Sequence, residues 1–314
     1  MRIVLSHAWL RGNLGDFCIA YRTVSLLRRQ FPDAYITLLT EPRGTWYVPD
    51  ALTSLVDAYI ERSFRDDFHN IAEHADVVIQ VPGGGLQDSQ DPRAPFMLRD
   101  AEICHRLGVK HIFAGHSFHS SYDLSALHRS VVFAREPASH DLLLSQGIQA
   151  FLTADLAFLE PVPAISDTTS RTGGTLLFLR QWHFADIKKQ GKRLQFDGRI
   201  ETYTHEPLIL VSSDPLRDND ILLPLRDTYG LRYEPCMNLQ HLFDVIASSS
   251  HVISDRYHPI IFASMMGVPF TFLQREGSLR DAGLSRMLQQ STPHACATLA
   301  RDGCAQMLRS IGRQ

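Results

Sequence analysis

Several absences bound this 314-residue chain before any motif is considered. No apolar run approaches the roughly 18 uninterrupted residues that a membrane-spanning helix requires. The opening run, M-R-I-V-L, is broken by His7 before any small-residue cleavage site, so the N-terminus reads as a first strand rather than a leader. A cytoplasmic chain is the expectation. An excess of positive charge is also missing: 31 Lys and Arg stand against 34 Asp and Glu, for a formal charge of -3. Nucleic acid is therefore not an expected partner, because its binding rests on cationic side chains that displace counterions from phosphates. Cysteine is scarce, five in all. An odd number without a C-x-x-C pair argues against a disulfide framework or a zinc knuckle and for reduced core thiols. The 15 histidines show no H-E-x-x-H, H-x-H or mixed Cys/His spacing, so no metal is expected.

What is present is ordinary globular material, 44% hydrophobic and 21% charged, in a chain longer than a typical domain of about 100 to 200 residues. Short apolar runs at 3–6, 35–39, 77–81, 111–114 and 131–134 alternate with amphipathic helical patterns such as 17–29. That alternation predicts βαβ units and a mainly parallel sheet whose strands are buried on both faces. Around 161–174 the pattern fails in P-V-P-A-I-S-D-T-T-S-R-T-G-G, a stretch rich in Pro, Ser, Thr and Gly with nothing periodic to bury. A second α/β series follows, with strands at 175–179, 208–211, 251–254 and 269–273. The expectation is an α/β fold of two Rossmann-like domains, 1–165 and 166–314, facing a cleft, with ligands at the carboxyl ends of the strands.

The most informative segment is V-I-S-D-R-Y-H-P-I-I-F-A-S-M-M-G-V-P-F, residues 252–270, which reads as strand, polar turn, helix, strand. Pro259 suits the first helical position and Gly267 the left-handed position after the last turn. Arg256 and His258 are then placed just before a helix N-terminus, where unpaired N–H groups and the helix dipole favour anions and a guanidinium can grip a carboxylate or phosphate with two prongs. This suits a compact anion. The plainer alternative is that Arg256 pairs with Asp255 or a surface acid and His258 caps the turn.

Two glycine loops and further polar residues accompany this turn. R-G-N-L-G-D, residues 11–16, joins the first strand to the first helix. Its glycines permit close ligand approach near Asn13 and Gly15, and Asp16 stands where it can cap the helix; it lacks the third glycine of a dinucleotide fingerprint. V-I-Q-V-P-G-G-G-L-Q-D places Gly83, Gly84 and Gly85 after a buried strand, as an anion nest or simply a sharp turn. Arg135 and Arg180 end apolar runs and are expected at the cleft edge or as solvated strand ends. His116, in F-A-G-H-S-F-H-S, is a candidate polar substrate contact or a loop residue satisfied by water.

Taken in order, G-N-L-G-D at 12–16, G-G-G at 83–85, R-E-P-A-S at 135–139, A-D-L-A-F at 154–158 and S-D-R-Y-H with F-A-x-x-x-G-V-P at 254–269 resemble the polysaccharide pyruvyl transferase family. The resemblance implies a two-domain, glycosyltransferase B-like architecture, with the N-terminal domain on the acceptor side and the C-terminal domain carrying the R-x-H turn. It implies phosphoenolpyruvate as donor substrate, no cofactor, and a sugar acceptor, free or lipid-linked, that receives pyruvate as a ketal beside a membrane-bound polysaccharide assembly machine. On this resemblance His258 is assigned as general acid, and Arg256, Arg135 and Arg180 hold the donor. Asp16 orients the donor or accepts a hydroxyl proton. Asn13, Gly15, Gly83, Gly84, Gly85 and His116 are taken as substrate contacts. Pro259 stands where many relatives have glycine. The competing readings are a sugar-nucleotide glycosyltransferase of the same architecture and a non-catalytic scaffold of a polysaccharide assembly complex.

Overall fold

The structure, a computed structural model, describes residues 1–10, 12–41, 50–82, 86, 87, 89, 91–162, 173–180, 188–190, 193–196, 200–203 and 207–312. The chain divides into two compact units, each built on its own parallel sheet.

The first unit alternates strand and helix from its start: β1 (Arg2–Ala8), α1 (Leu14–Gln30), β2 (Tyr35–Thr40), α2 (Asp50–Thr53), β3 (Ala58–Glu61), α3 (His69–Ala72) and β4 (Val77–Gln80). It continues through α4 (Ala94–Leu107), β5 (Lys110–His116), β6 (Val131–Ala134), α5 (Pro137–Ser145) and β7 (Ala150–Leu152). Because each helix returns the chain to the same edge, every pairing is parallel, in the order β3-β2-β1-β4-β5-β6-β7. Ile3, Leu5, Ile36, Leu38, Val77 and Ile79 fill one buried cluster of this sheet. Such a strand, covered on both faces, reads as an unbroken apolar run instead of an alternating one.

The second unit holds β8 (Thr175–Phe178), β9 (Lys188–Gln190), β10 (Arg193–Phe196), β11 (Ile200–Tyr203), β12 (Leu208–Ser212), α6 (Pro215–Tyr229), β13 (Arg232–Pro235), α7 (Leu239–Ser248), β14 (His251–Ser254), α8 (Tyr257–Met265) and β15 (Phe270–Phe272). Five strands pair in parallel in the order β13-β12-β8-β14-β15, while β9, β10 and β11 form a small antiparallel sheet. In chain order within each unit, both large sheets run 3-2-1-4-5 across their first five strands, the doubly wound Rossmann-like order. The α/β class with two Rossmann-like units is thus the architecture observed.

The unit boundaries differ from the expected division at 165/166. The first unit comprises Met1–Arg11, Asp16–Glu160 and Glu276–Gln314, and the second Gly12–Gly15 and Pro161–Arg275. The last two helices, α9 (Leu279–Gln290) and α10 (Pro293–Gly312), belong to the first unit because α10 buries Met307 and Ile311 in the cluster that holds Ile3 and Leu5. Lys110 Nζ donates to the Ser310 carbonyl at 2.9 Å. The short stretch at 12–15 groups with the second unit, where Leu14 N–H donates to the Ser213 carbonyl at 3.0 Å. Most of the Pro- and Ser-rich stretch, 163–172, lies outside the described residues. Among those described, no helix is long and apolar enough to cross a membrane, and the five cysteines are free and buried.

Candidate functional site

In the second sheet the strand order reverses beside β8, whose neighbours are β12 on one side and β14 on the other. Ligands of open α/β sheets sit outside the carboxyl ends of the strands at such a reversal. There the chain gathers Arg180 after β8, Ser212 and Asp214 at the end of β12, and Asp255 and Arg256 after β14. The two strand ends are tied together: both carboxylate oxygens of Asp255 accept the Arg180 N–H, at 2.9 and 3.0 Å. Asp255 thus holds the backbone after β8, a role the plainer sequence reading did not give it. Ser254 fixes the turn, its Oγ accepting the Arg256 N–H at 2.8 Å and donating to the Arg256 carbonyl at 3.0 Å.

Helix α8 begins two residues earlier than Pro259 suggests. Arg256 is the N-cap, with extended backbone, and Tyr257, His258 and Pro259 are the first three helical residues. Proline is tolerated there because N–H groups of a first turn have no intrahelical acceptor. His258 thus sits inside the helix, not before it. At the other end Gly267 takes the left-handed conformation, φ 64°, and the chain closes with Val268 N–H donating to the Ala263 carbonyl at 2.9 Å.

Arg256 does not face open solvent; it is 5% exposed. Its Nη2 pairs with Asp218 Oδ1 and lies 3.5 Å from Asp214 Oδ2, and both carboxylates are buried. The other Asp218 oxygen accepts Ser212 Oγ–H at 3.0 Å and Asp214 N–H at 3.1 Å. A buried ion pair recovers its desolvation cost only when the remaining lone pairs are also satisfied, and these bonds do that for Asp218. Ser212, Asp214 and Asp218 were not singled out in the sequence. S-S-D-P-L-R-D reads as an ordinary helix start, with Pro at the first position of α6.

His258 is 8% exposed. Its ring stands edge-on to Tyr257, centroids 5.7 Å apart, and lies nearly parallel to Phe262 at 6.4 Å. Against it packs Gly15, where a Cβ would overlap the imidazole and stand 2.6 Å from His258 Cβ. The Gly15 N–H donates to Asn13 Oδ1 at 3.0 Å, so Asn13 caps the start of α1. Asp16, expected as the cap, lies in the first turn of α1, half-buried. The structure therefore brings Asn13 and Gly15 to the Arg256–His258 turn within the second unit. The Arg180 side chain is half-buried and, among the described residues, has no hydrogen-bond or ion-pair partner. It is an uncommitted cation on this edge.

The remaining candidates lie in the first unit. Arg135 is not a solvated strand end; it is buried, with Nη1 on Asp155 at 2.8 Å, Nη2 donating to Gln87 at 2.9 Å and Nε donating to Ser117 Oγ at 2.8 Å. Its guanidinium is committed to this unit. His116 is not a water-satisfied loop residue; it is fully buried at the end of β5 against the Phe113 ring, 5.3 Å between centroids. Burial first, and then the Arg135 charge, hold its imidazole well below the ordinary range, so it is neutral. Gly83, Gly84 and Gly85 lie outside the described residues. Among the described residues no group of three or more His, Cys, Asp or Glu side chains is arranged to hold a metal ion.

Comparison with known proteins gives a family and a fold. The family model described as polysaccharide pyruvyl transferase matches residues 13–276. None of the curated proteins compared with the chain matches it. Among solved structures, the UDP-GlcNAc 2-epimerase from Neisseria meningitidis bound to UDP-GlcNAc is 12% identical, with 98% of this chain and 100% of that one covered and a TM-score of 0.63. The UDP-GlcNAc 2-epimerase from Methanocaldococcus jannaschii is 13% identical over 98% and 99%, TM-score 0.58. Acinetobacter baumannii MurG is 10% identical over 100% and 99%, TM-score 0.52. These structures share with the chain a glycosyltransferase B-type fold.

Proposed function

Because the chain belongs to the polysaccharide pyruvyl transferase family and is a transferase, we propose that phosphoenolpyruvate is its donor and that it attaches pyruvate as a ketal to hydroxyls of a sugar in a cell-surface polysaccharide or its lipid-linked precursor. The reaction is placed in the cytoplasm, beside a membrane-bound assembly machine. The observation that carries this reading is the Arg256–His258 turn, held at the strand-order reversal of the second sheet with Gly15 packed on the imidazole.

The chemistry asks for an acid and for fixed positive potential. The methylene carbon of the donor takes a proton, positive charge develops at the carbon that bears the phosphate, and a sugar hydroxyl oxygen bonds there as its own proton leaves. Inorganic phosphate then departs, and a second hydroxyl adds with loss of its proton to close the ketal. His258 is the acid of this scheme. Two carboxylates, Asp214 and Asp218, face the single positive charge of Arg256, so its part is to fix the turn that presents His258. The donor's carboxylate and phosphate fall to Arg180 and to the positive end of the α8 dipole. Asp16 is the residue assigned to orient the donor or take a hydroxyl proton.

The donor assignment is tested by thermal unfolding with phosphoenolpyruvate, UDP-GlcNAc and UDP-glucose in parallel. Phosphoenolpyruvate at a hundred times its dissociation constant should add about 2.7 kcal/mol of stability. Stabilisation by the nucleotide sugars alone would replace this reading with a sugar-nucleotide transferase.

A further inference from the structure

The antiparallel sheet of β9, β10 and β11 interrupts the second unit between two strands of its parallel sheet, β8 and β12. Its sequence is unlike the rest of the chain. Of the 31 Lys and Arg residues four are lysines, and three of these, Lys188, Lys189 and Lys192, fall in the run I-K-K-Q-G-K-R-L-Q-F at 187–196, which holds no acidic residue. The fourth, Lys110, donates to the Ser310 carbonyl. Elsewhere the charged base is arginine, whose planar fork grips a fixed carboxylate, as Arg22 does with Glu160 and Arg93 with Asp91. Lysine carries a compact, hydrated ammonium on a flexible stem, which suits many anions of varying position better than one fixed anion.

The strand register places these residues. Lys188, Gln195 and Glu201 stand in one row across the three strands, Lys189, Leu194 and Thr202 in the next, and Gln190, Arg193 and Tyr203 in the third. Successive residues of a strand alternate between faces, so Lys188 and Arg193 share a polar face with Gln190, Gln195 and Glu201. Lys189 shares the other with Leu194, Phe196 and Ile200. Strand β9 is an edge of this sheet. A single lysine there would be ordinary protection of an edge strand, but four cations in a row of ten residues without an acid exceed that need. Lys192, between β9 and β10, lies outside the described residues. A cluster of cations on an element with one apolar face matches the headgroup region of a bilayer, where ammonium groups meet phosphate and apolar side chains meet acyl chains.

We propose that strands β9 and β10 dock the second unit on an anionic lipid surface, with Lys188, Lys189 and Arg193 among the headgroup phosphates. This goes beyond the pyruvyl-transfer reading, and its test needs neither donor nor acceptor. The full chain is sedimented at low salt with vesicles of phosphatidylcholine alone or of phosphatidylcholine mixed with phosphatidylglycerol. Binding is expected to the mixed vesicles and not to the neutral ones, and added salt should weaken it by screening the surface charge. Each cation near such a surface is worth about fivefold in affinity, so replacing Lys188, Lys189 and Arg193 by Gln together should weaken binding about a hundredfold, with the fold verified by circular dichroism. A control with Gln at the exposed Arg286, Arg301 and Arg309 has the same net charge and should bind as the wild type does. Absence of binding to the mixed vesicles, equal binding to both kinds, undiminished binding of the β9 and β10 variant, or an equal loss in the control each overturns the proposal. An oligonucleotide that binds more tightly than the mixed vesicles would overturn it too, and assign the cluster to nucleic acid. Failure of the phosphoenolpyruvate assignment would leave all of these measurements untouched.

Discussion

His258 holds its place because residue 15 has no side chain. The backbone of Gly15 is not left-handed, so alanine is compatible with its conformation, but the three atoms nearest an added methyl group all belong to His258, its Cβ included. Gly15→Ala must therefore shift His258 together with the start of α8. If His258 is the acid, displacing it by about an ångström costs on the order of a hundredfold in rate, and that loss of turnover is expected while the circular dichroism spectrum keeps its overall α/β form. Wild-type turnover would mean that the ring's contact with Gly15 does not set the geometry of the reaction. At the same scale lies the main limit of the sequence. Proline, glycine and the R-x-H spacing pointed to the turn, but nothing local in Asp218 announces that it pairs with Arg256, 38 residues away. That pairing changes Arg256 from an open anion grip into a neutralised support.

Among the elements, α5 shows how burial is converted into a pH dependence. Glu136 caps it, accepting the Ser139 N–H at 2.9 Å and the Ser139 hydroxyl. Gly283 of α9 packs so closely that a Cβ there would lie 2.9 Å from Glu136 Cδ. Burial pushes the Glu136 carboxyl up to about 7, against the opposing pull of the Ser139 bonds. An unfolded glutamate titrates near 4.3, so between the two values the folded chain holds a proton that the unfolded chain has lost. The contribution to stability is thus full below about pH 4.3 and is lost as pH rises through about 7. Glu136→Gln, which keeps a capping oxygen but cannot ionise, should lose less Tm than the wild type between about pH 5 and about pH 8. An identical decline in both would remove Glu136 as its source. The elements themselves were legible wherever a strand is buried on both faces, as in β1, β4 and β14, whose apolar runs are nearly continuous. β3, β7 and β13 lie at sheet edges with mixed or exposed residues and carry no such run.

For the whole molecule, alternation of strand and helix was enough to expect two Rossmann-like units, and the break near 161 marks where the second begins. The return of α9 and α10 to the first unit was not legible, because an amphipathic helix states which face it buries and not against what. The apolar side of α10 finds its partners in β5, β7 and the Leu156–Leu159 turn, far back in the chain. Across both units the account makes one central chemical claim, that pyruvate leaves phosphoenolpyruvate for a sugar under acid catalysis by His258. The most direct measurement incubates the full chain with phosphoenolpyruvate and an extract of cell-surface glycans, following phosphate release and, by mass spectrometry, pyruvate on the sugar. The account predicts both products in step, and a fall in turnover of roughly 10² to 10⁴ for His258→Ala. Pyruvylated sugar formed at the wild-type rate by a folded His258→Ala variant, or no pyruvylated sugar from the wild type, would contradict it.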